Sequence, residues 1–197
     1  DRGRRMRFAP PGASVPAVRF LGRRGEETEP KEYRDLESLT RDPRSGTIWA
    51  GYEASNSVAR LGRNFTESAR IRPTAMQEWS SNSGAETLLR LDDGRFLIIA
   101  EGRLDEGDGT LPALLFPGDP LLGSEPARMT FVPPEGFRPV DAAQLPDGRV
   151  LVLVRKVVWG LPPRFENALV LLERIGERAE GELRGEIVAR IAHPLPT

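Results

Sequence analysis

Residues 86-ETLLRLDDGRFLIIAE-101 consist of two apolar runs that flank a polar turn, with an acidic residue at each end. The turn contains Asp-Asp-Gly, and glycine accepts the positive φ that a tight connection between antiparallel strands requires. The segment therefore predicts a β-hairpin that turns near Gly94. Its two ends, Glu86 and Glu101, should then lie side by side.

The same pattern occurs twice more, in 37-ESLTRDPRSGTIWAGYE-53 and 141-DAAQLPDGRVLVLVR-155. The turn glycines are Gly46, Gly94 and Gly148, and a charged residue follows each of them by seven positions. The opening acids are separated by 49 and 55 residues, which is about the length of one four-stranded propeller blade with its loops. The repeat predicts an all-β fold, a β-propeller of four-stranded antiparallel blades.

The repeat also divides the chain, which we interpret as one domain. The predicted blades are residues 35–84, 85–139 and 140–197, with an incomplete blade at 1–34. Because the chain begins at Asp1 without a methionine, we expect a partial propeller, an interior piece of a longer one. The segment 177-ERAEGELRGEIVARI-191 leaves two alternatives open, since its apolar spacing fits a helix or part of a hairpin equally well.

Composition excludes several classes of protein. The 197 residues are 39% hydrophobic and 29% charged, as in globular domains, and the longest apolar runs are too short for a transmembrane segment. A net charge of −1 argues against a nucleic-acid partner. The chain has no cysteine and a single histidine, His193, which excludes disulfides, thiolate nucleophiles and a two-histidine metal site.

Charged residues gather at the hairpin ends. In an antiparallel hairpin the start of the first strand and the end of the second lie together, so these residues should meet at one mouth of a central channel. The predicted pairs are Glu37 with Glu53, Glu86 with Glu101, and Asp141 with Arg155. Asp35 precedes Glu37 by two residues and should point to the same side of its strand. Asn82 flanks the same end.

Such a ring of oxygen atoms is typical of a Ca²⁺ site, because Ca²⁺ prefers carboxylate and amide ligands. The candidate metal ligands are Asp35, Glu37, Glu53, Asn82, Glu86 and Glu101. Closely spaced carboxylates also raise one another's pKa, which suits acid–base catalysis. The candidate catalytic residues are Glu37, Glu86, Asp141 and Arg155. The structural alternative is that these residues cap strands or form salt bridges, for example between Asp141 and Arg155.

Three segments resemble the phytase-like β-propeller family, which is also described as having esterase-like activity of phytase. They are 35-DLESLTRDPRSGTIWAGYEASNSVARL-61, 82-NSGAETLLRLDDGRFLIIAEG-102 and 137-FRPVDAAQLPDGRVLVLVRK-156. They are similar to the family's D-x-E-G-L opening, its N-x-G-x-E-x-L segment and its D-A-A-x-L-P-D-G-R-x-L-V-L-x-R segment. The resemblance implies a periplasmic or secreted bacterial protein in which the charged motif residues face the channel.

The function that the resemblance implies is hydrolysis of a small anionic or ester substrate. Channel carboxylates would hold Ca²⁺, and Arg155 with Lys156 would neutralise a phosphate oxyanion. The same architecture also fits a lactonase-like Ca²⁺-dependent hydrolase. A third alternative is a non-catalytic propeller that binds a ligand or a protein on one face.

Overall fold

The computed structural model describes residues 35–62, 65–80, 84–102, 109–176 and 181–191. Over these ranges the chain forms β-strands and two 3₁₀ turns, Thr74–Met76 and Pro120–Leu122, without an α-helix. The strands are β1 (Leu36–Arg41), β2 (Ile48–Tyr52), β3 (Ser57–Leu61), β4 (Glu67–Ile71), β5 (Ala85–Arg90), β6 (Phe96–Ala100), β7 (Leu111–Phe116), β8 (Ala127–Val132), β9 (Arg138–Gln144), β10 (Val150–Val158), β11 (Arg164–Leu172) and β12 (Gly181–Ile191).

The strands form three antiparallel groups of four, which we call blade I (β1–β4), blade II (β5–β8) and blade III (β9–β12). The first strands of the blades stand next to one another. Ser38 Oγ in β1 donates a hydrogen bond to Ala85 O in β5 at 2.5 Å, and the Asp92 N–H that follows β5 donates to Gln144 Oε1 in β9 at 2.7 Å. Because β1, β5 and β9 are thus the inner strands of successive blades, the prediction of a partial β-propeller is confirmed.

The hairpin turns have the chemistry that the sequence predicts. Gly46, Gly94 and Gly148 have φ values of 75°, 93° and 88°. In the second and third turns, an aspartate just before the glycine accepts hydrogen bonds from the backbone and side chain of the arginine after it. These contacts lower the pKa of Asp93 and of Asp147. The short polar turns therefore fix the register of the hairpins.

The core lies between the blades, and blade II is buried on both faces. One face packs on blade I through Leu88, Phe96 and Ile98, and the other packs on blade III through Leu89, Leu97 and Ile99. All five residues of β6 are buried. This two-sided burial explains the continuous apolar run FLIIA, since a strand with one face in water alternates apolar and polar residues.

Blades II and III are joined at their outer edges. The first part of β12, residues 181–184, pairs in parallel with β8, whereas residues 185–191 pair with β11. The partner changes at Gly185, where a side chain would collide with the carbonyl oxygen of Leu171. The result is one eight-stranded sheet, which the repeat pattern did not indicate. A helix at 177–191 is wrong for residues 181–191, and residues 177–180 lie outside the described ranges.

Two other predictions fall outside the described ranges, namely the incomplete blade at residues 1–34 and the candidate ligand Asn82. Within the part of the chain that the structure covers, no helix has the length and apolar character needed to cross a membrane.

Candidate functional site at the channel mouth

The strands β1, β5 and β9 all begin at the same end of the molecule. We call this end the channel mouth. Glu37 and Glu86 occupy equivalent places there, because each lies at a β-bulge where the inner strand slips against the second strand. The slip falls between Leu36 and Ser38 in blade I and between Ala85 and Thr87 in blade II. A bulge re-aims the side chain that it carries. The prediction that these two glutamates are equivalent agrees with the register.

Asp141 does not share this place. In blade III the slip falls between the pairs Val154–Pro139 and Leu153–Asp141, so Val140 stands where the other blades have their glutamates. Asp141 pairs with Leu153 as Ser38 pairs with Gly51. The predicted equivalence of Asp141 with the two glutamates is therefore wrong by one residue. One residue is enough to turn a side chain to the other face of a sheet.

Five carboxylates meet at the mouth. Carboxylate oxygens of Asp35, Glu37 and Glu53 lie within 4.8 Å of one another. The same limit holds for Glu53, Glu86 and Glu101. Glu53 belongs to both groups and therefore connects blade I with blade II. We call these five residues the carboxylate cluster.

Within the carboxylate cluster, the pKa of Glu86 is raised. This residue is 9% exposed. Burial is the largest cause that raises the pKa of Glu86, from 4.5 to about 8. The negative charges of Glu101, Glu37 and Glu53 contribute next, together with a hydrogen bond between Glu86 and Glu101. A carboxyl group in such surroundings keeps its proton at neutral pH until a cation compensates the charge.

Backbone contacts hold the carboxylate cluster in place. The Glu53 N–H donates to Asp35 O at 3.0 Å, and the Glu86 N–H donates to Gly84 O at 2.9 Å. A Cβ atom at Gly84 would lie 2.5 Å from the Cα atom of Glu53, so only glycine permits the two blades to approach this closely. The turn that follows Glu53 is fixed by Asn56, whose Nδ2 donates to Trp79 O at 2.6 Å.

The predicted pair of Asp141 with Arg155 is not formed. Among the described residues, no ion pair joins them. Asp141 Oδ1 instead accepts from the Ala142 N–H at 2.8 Å. Arg155 pairs in register with Arg138 on one side and with Asn167 on the other.

The side chains of Lys156 and Arg155 do not lie together either. Adjacent residues of a strand point to opposite faces. Lys156 Nζ lies 5.9 Å from the centre of the Phe137 ring, whereas the guanidinium of Arg155 lies 5.5 Å from the Phe165 ring.

Arg138 is a residue that the sequence pattern missed. Its Nη1 donates a hydrogen bond to the backbone oxygen of Glu101 at 2.5 Å, which places its guanidinium beside the carboxylate cluster. The only signal in the sequence is its position, three residues before Asp141 in the third repeat.

The donor set of the carboxylate cluster fits Ca²⁺. All its members offer oxygen and none offers nitrogen or sulfur, which suits a hard cation better than zinc or copper. Carboxylates of two blades lie close enough together to reach one ion. Asp35, Glu37, Glu53, Glu86 and Glu101 are the residues that could hold it.

Comparisons with known proteins identify one family. The model of the family "Phytase-like: Esterase-like activity of phytase" matches residues 5–190. No curated protein matches the chain. Among solved structures, a protein of unknown function from Bacteroides caccae is 16% identical with a TM-score of 0.38, and the match covers 79% of this chain and 60% of that one.

Two exo-β-1,3-galactanases are also similar. The enzyme from Clostridium thermocellum is 13% identical with a TM-score of 0.48, and the match covers 76% of this chain and 33% of that one. The enzyme from Phanerochaete chrysosporium is 12% identical with a TM-score of 0.41, and the match covers 71% and 33%. The chain thus spans less than two thirds of the length of each of these structures.

Proposed function

Because the chain belongs to the phytase-like family, whose model describes an esterase-like activity of phytase, we propose that it is a hydrolase of phosphate or other esters that uses Ca²⁺ at the channel mouth. One observation carries the proposal: Glu53 belongs to two groups of three carboxylates at the contact of neighbouring blades. Within each group the carboxylate oxygens lie within 4.8 Å of one another. The proposed location, from the family resemblance, is the periplasm or the outside of the cell.

The proposed roles follow from where the residues lie. A metal ion would be held by Glu53, Glu86 and Glu101 or by Asp35, Glu37 and Glu53, since each of these groups has carboxylate oxygens within 4.8 Å of one another. When bound, Ca²⁺ supplies Lewis acidity toward a phosphoryl or carbonyl oxygen and lowers the pKa of a water molecule. Without the ion Glu86 keeps its proton at neutral pH, and binding of the ion would release that proton.

Calcium titration tests the proposal directly. Chelator-treated protein is titrated with Ca²⁺ by calorimetry, and hydrolysis of p-nitrophenyl phosphate, p-nitrophenyl acetate and a γ-lactone is measured with and without the ion. We expect saturable Ca²⁺ binding and hydrolysis of at least one ester that stops on chelation. Binding with activity only toward the lactone would favour the lactonase-like alternative. A protein that neither binds Ca²⁺ nor hydrolyses any of the three substrates would contradict the proposal and favour the non-catalytic one.

A further inference from the structure

Two hydroxyl groups of β1 connect blade I with blade II. Ser38 Oγ donates a hydrogen bond to Ala85 O at 2.5 Å, at the start of β5. Thr40 Oγ1 accepts one from the Arg90 N–H at 3.0 Å, at the end of the same strand. Ser38 and Thr40 lie on the same face of β1, because they are two residues apart. Of these two hydrogen bonds, the one made by Ser38 lies at the channel mouth.

The Ser38 hydrogen bond lies between two members of the carboxylate cluster. Ser38 follows Glu37 and Ala85 precedes Glu86, and each of these glutamates lies at a β-bulge. Ser38 and Ala85 are both buried. Gly51 pairs with Ser38 in register, and a Cβ atom at Gly51 would collide with the Ser38 hydroxyl and lie 3.1 Å from Ala85 O. The contact is therefore tightly packed, and it has room for the hydroxyl only because residue 51 is glycine.

The spacing of the two blades matters for one half of the carboxylate cluster. Asp35, Glu37 and Glu53 lie within or beside the first two strands of blade I. The second group takes Glu53 from blade I, but Glu86 and Glu101 from blade II. A shift of one blade against the other at the mouth leaves the first group unchanged and separates Glu53 from the other members of the second group.

We propose that Ser38 is a positioning residue for a metal ion bound between the two blades. Its hydrogen bond to Ala85 O fixes blade I against blade II at the mouth. Glu53 is thereby held where its carboxylate and those of Glu86 and Glu101 reach one ion. Residues that orient metal ligands without touching the metal commonly determine much of the affinity. This inference rests on the proposed function for the presence of the ion, and it assigns the ion to the group that the blades share.

The test compares Ser38→Ala with two further variants. Thr40→Val is the matched control, because it removes the other hydroxyl contact between the same blades, away from the carboxylates. Gly51→Ala perturbs the same contact in a different way, since the added methyl group displaces the Ser38 hydroxyl without removing it. Ca²⁺ is titrated by calorimetry into each chelator-treated full chain, at one pH and ionic strength. Thermal melts establish a temperature at which all the proteins are folded.

We expect Ser38→Ala and Gly51→Ala to weaken Ca²⁺ binding about tenfold or more, and Thr40→Val to stay within about twofold of the unchanged protein. A merely structural contact would lower the melting temperatures of Ser38→Ala and Thr40→Val without separating their affinities. Ca²⁺ binding by Ser38→Ala within about twofold of the unchanged protein would overturn the inference, leave the proposed function, and place the ion in the group of blade I. Equal weakening in Ser38→Ala and Thr40→Val would also overturn the inference.

Amide hydrogen exchange distinguishes a failure of this inference from a failure of the proposed function, because it is measured without calcium. The Glu86 and Glu101 N–H groups both donate to Gly84 O, next to Ala85. We expect Ser38→Ala to speed the exchange of these two amides about fivefold or more, and Thr40→Val to leave it unchanged. If the unchanged protein binds no Ca²⁺, the proposed function fails and the exchange decides the inference. Faster exchange at the mouth then retains Ser38 as the residue that holds the blades together there, whereas unchanged exchange removes that role as well.

Discussion

Gly84 lies against the backbone of Glu53, so close that a Cβ atom on the glycine would come within 2.5 Å of Glu53 Cα and 2.9 Å of its carbonyl oxygen. Gly84 precedes the inner strand of blade II, and Glu53 follows the second strand of blade I. This contact is therefore where the two blades meet at the channel mouth. It also places Glu53 within 4.8 Å of the carboxylates of Glu86 and Glu101.

A methyl group at Gly84 should separate the blades. We expect Gly84→Ala to lower the free energy of unfolding by about 1–3 kcal/mol, as overpacking does elsewhere, because the Cα atom and the carbonyl oxygen of Glu53 are backbone atoms that cannot rotate away. Urea denaturation measures this change. Gly118→Ala is the matched control, since nothing lies within 4 Å of its Cβ position. Equal stability of the two variants would contradict the close contact.

The raised pKa of Glu86 makes stability depend on pH. The pKa is about 8 in the folded chain against an ordinary value of 4.5, so the folded state holds the proton more tightly than the unfolded one. The contribution is complete below pH 4.5 and is lost as the pH rises through about 8. Without calcium, the melting temperature should fall across this window.

Glu86→Gln isolates this effect, because the amide cannot ionise. We expect the variant to be more stable than the unchanged protein at pH 8.5, by on the order of 1–2 kcal/mol, and to lose much of the slope between pH 5 and pH 8. Thermal melts in chelator at several pH values test this. Two parallel stability curves would show that Glu86 does not carry the shifted titration.

Part of this architecture could be read from the sequence. The turn residues around Gly94 and Gly148 fix short hairpins by local chemistry, so the hairpins and the meeting of Glu86 with Glu101 were predictable. The place of Asp141 was not, because the distance from the opening acid to the turn glycine differs from blade to blade. The opening acid stands nine, eight and seven residues before the turn glycine in blades I, II and III. Because each of these segments contains an acid, the one-residue difference in blade III cannot be seen in the sequence.

The contacts between blades were also beyond the sequence pattern. The place of Arg138 depends on the β-bulge in β9 that leaves Pro139 opposite Val154. The position of a bulge depends on the packing of the whole sheet. The switch of β12 from β8 to β11 depends in the same way on a close approach to Leu171. Local periodicity carries neither signal.

Ca²⁺ binding should depend on Glu101 but not on Asp141, because only Glu101 belongs to the carboxylate cluster. Asp141 instead lies opposite Leu153, and its carboxylate accepts a hydrogen bond from the Ala142 N–H. We expect Glu101→Gln to weaken Ca²⁺ binding about tenfold or more, because one charged ligand is lost. Asp141→Asn should leave the affinity within about twofold. Loss of binding in Asp141→Asn would restore the equivalence that the repeat pattern predicts.

The last prediction concerns the hairpin between β10 and β11, which extends beyond Arg155. Trp159 at its tip is 87% exposed, whereas the other two tryptophans, Trp49 and Trp79, are 6% and 4% exposed. Iodide quenches only indoles that it can reach, so one of three emitters should be accessible. Trp159→Phe should shift the emission maximum to shorter wavelength and abolish most of the quenching. Trp79→Phe is the control, and it should leave the quenched fraction larger because only buried emission is removed. If iodide quenches the folded Trp159→Phe protein as strongly as the unchanged protein, the quenched emission comes from Trp49 or Trp79 and the prediction is wrong.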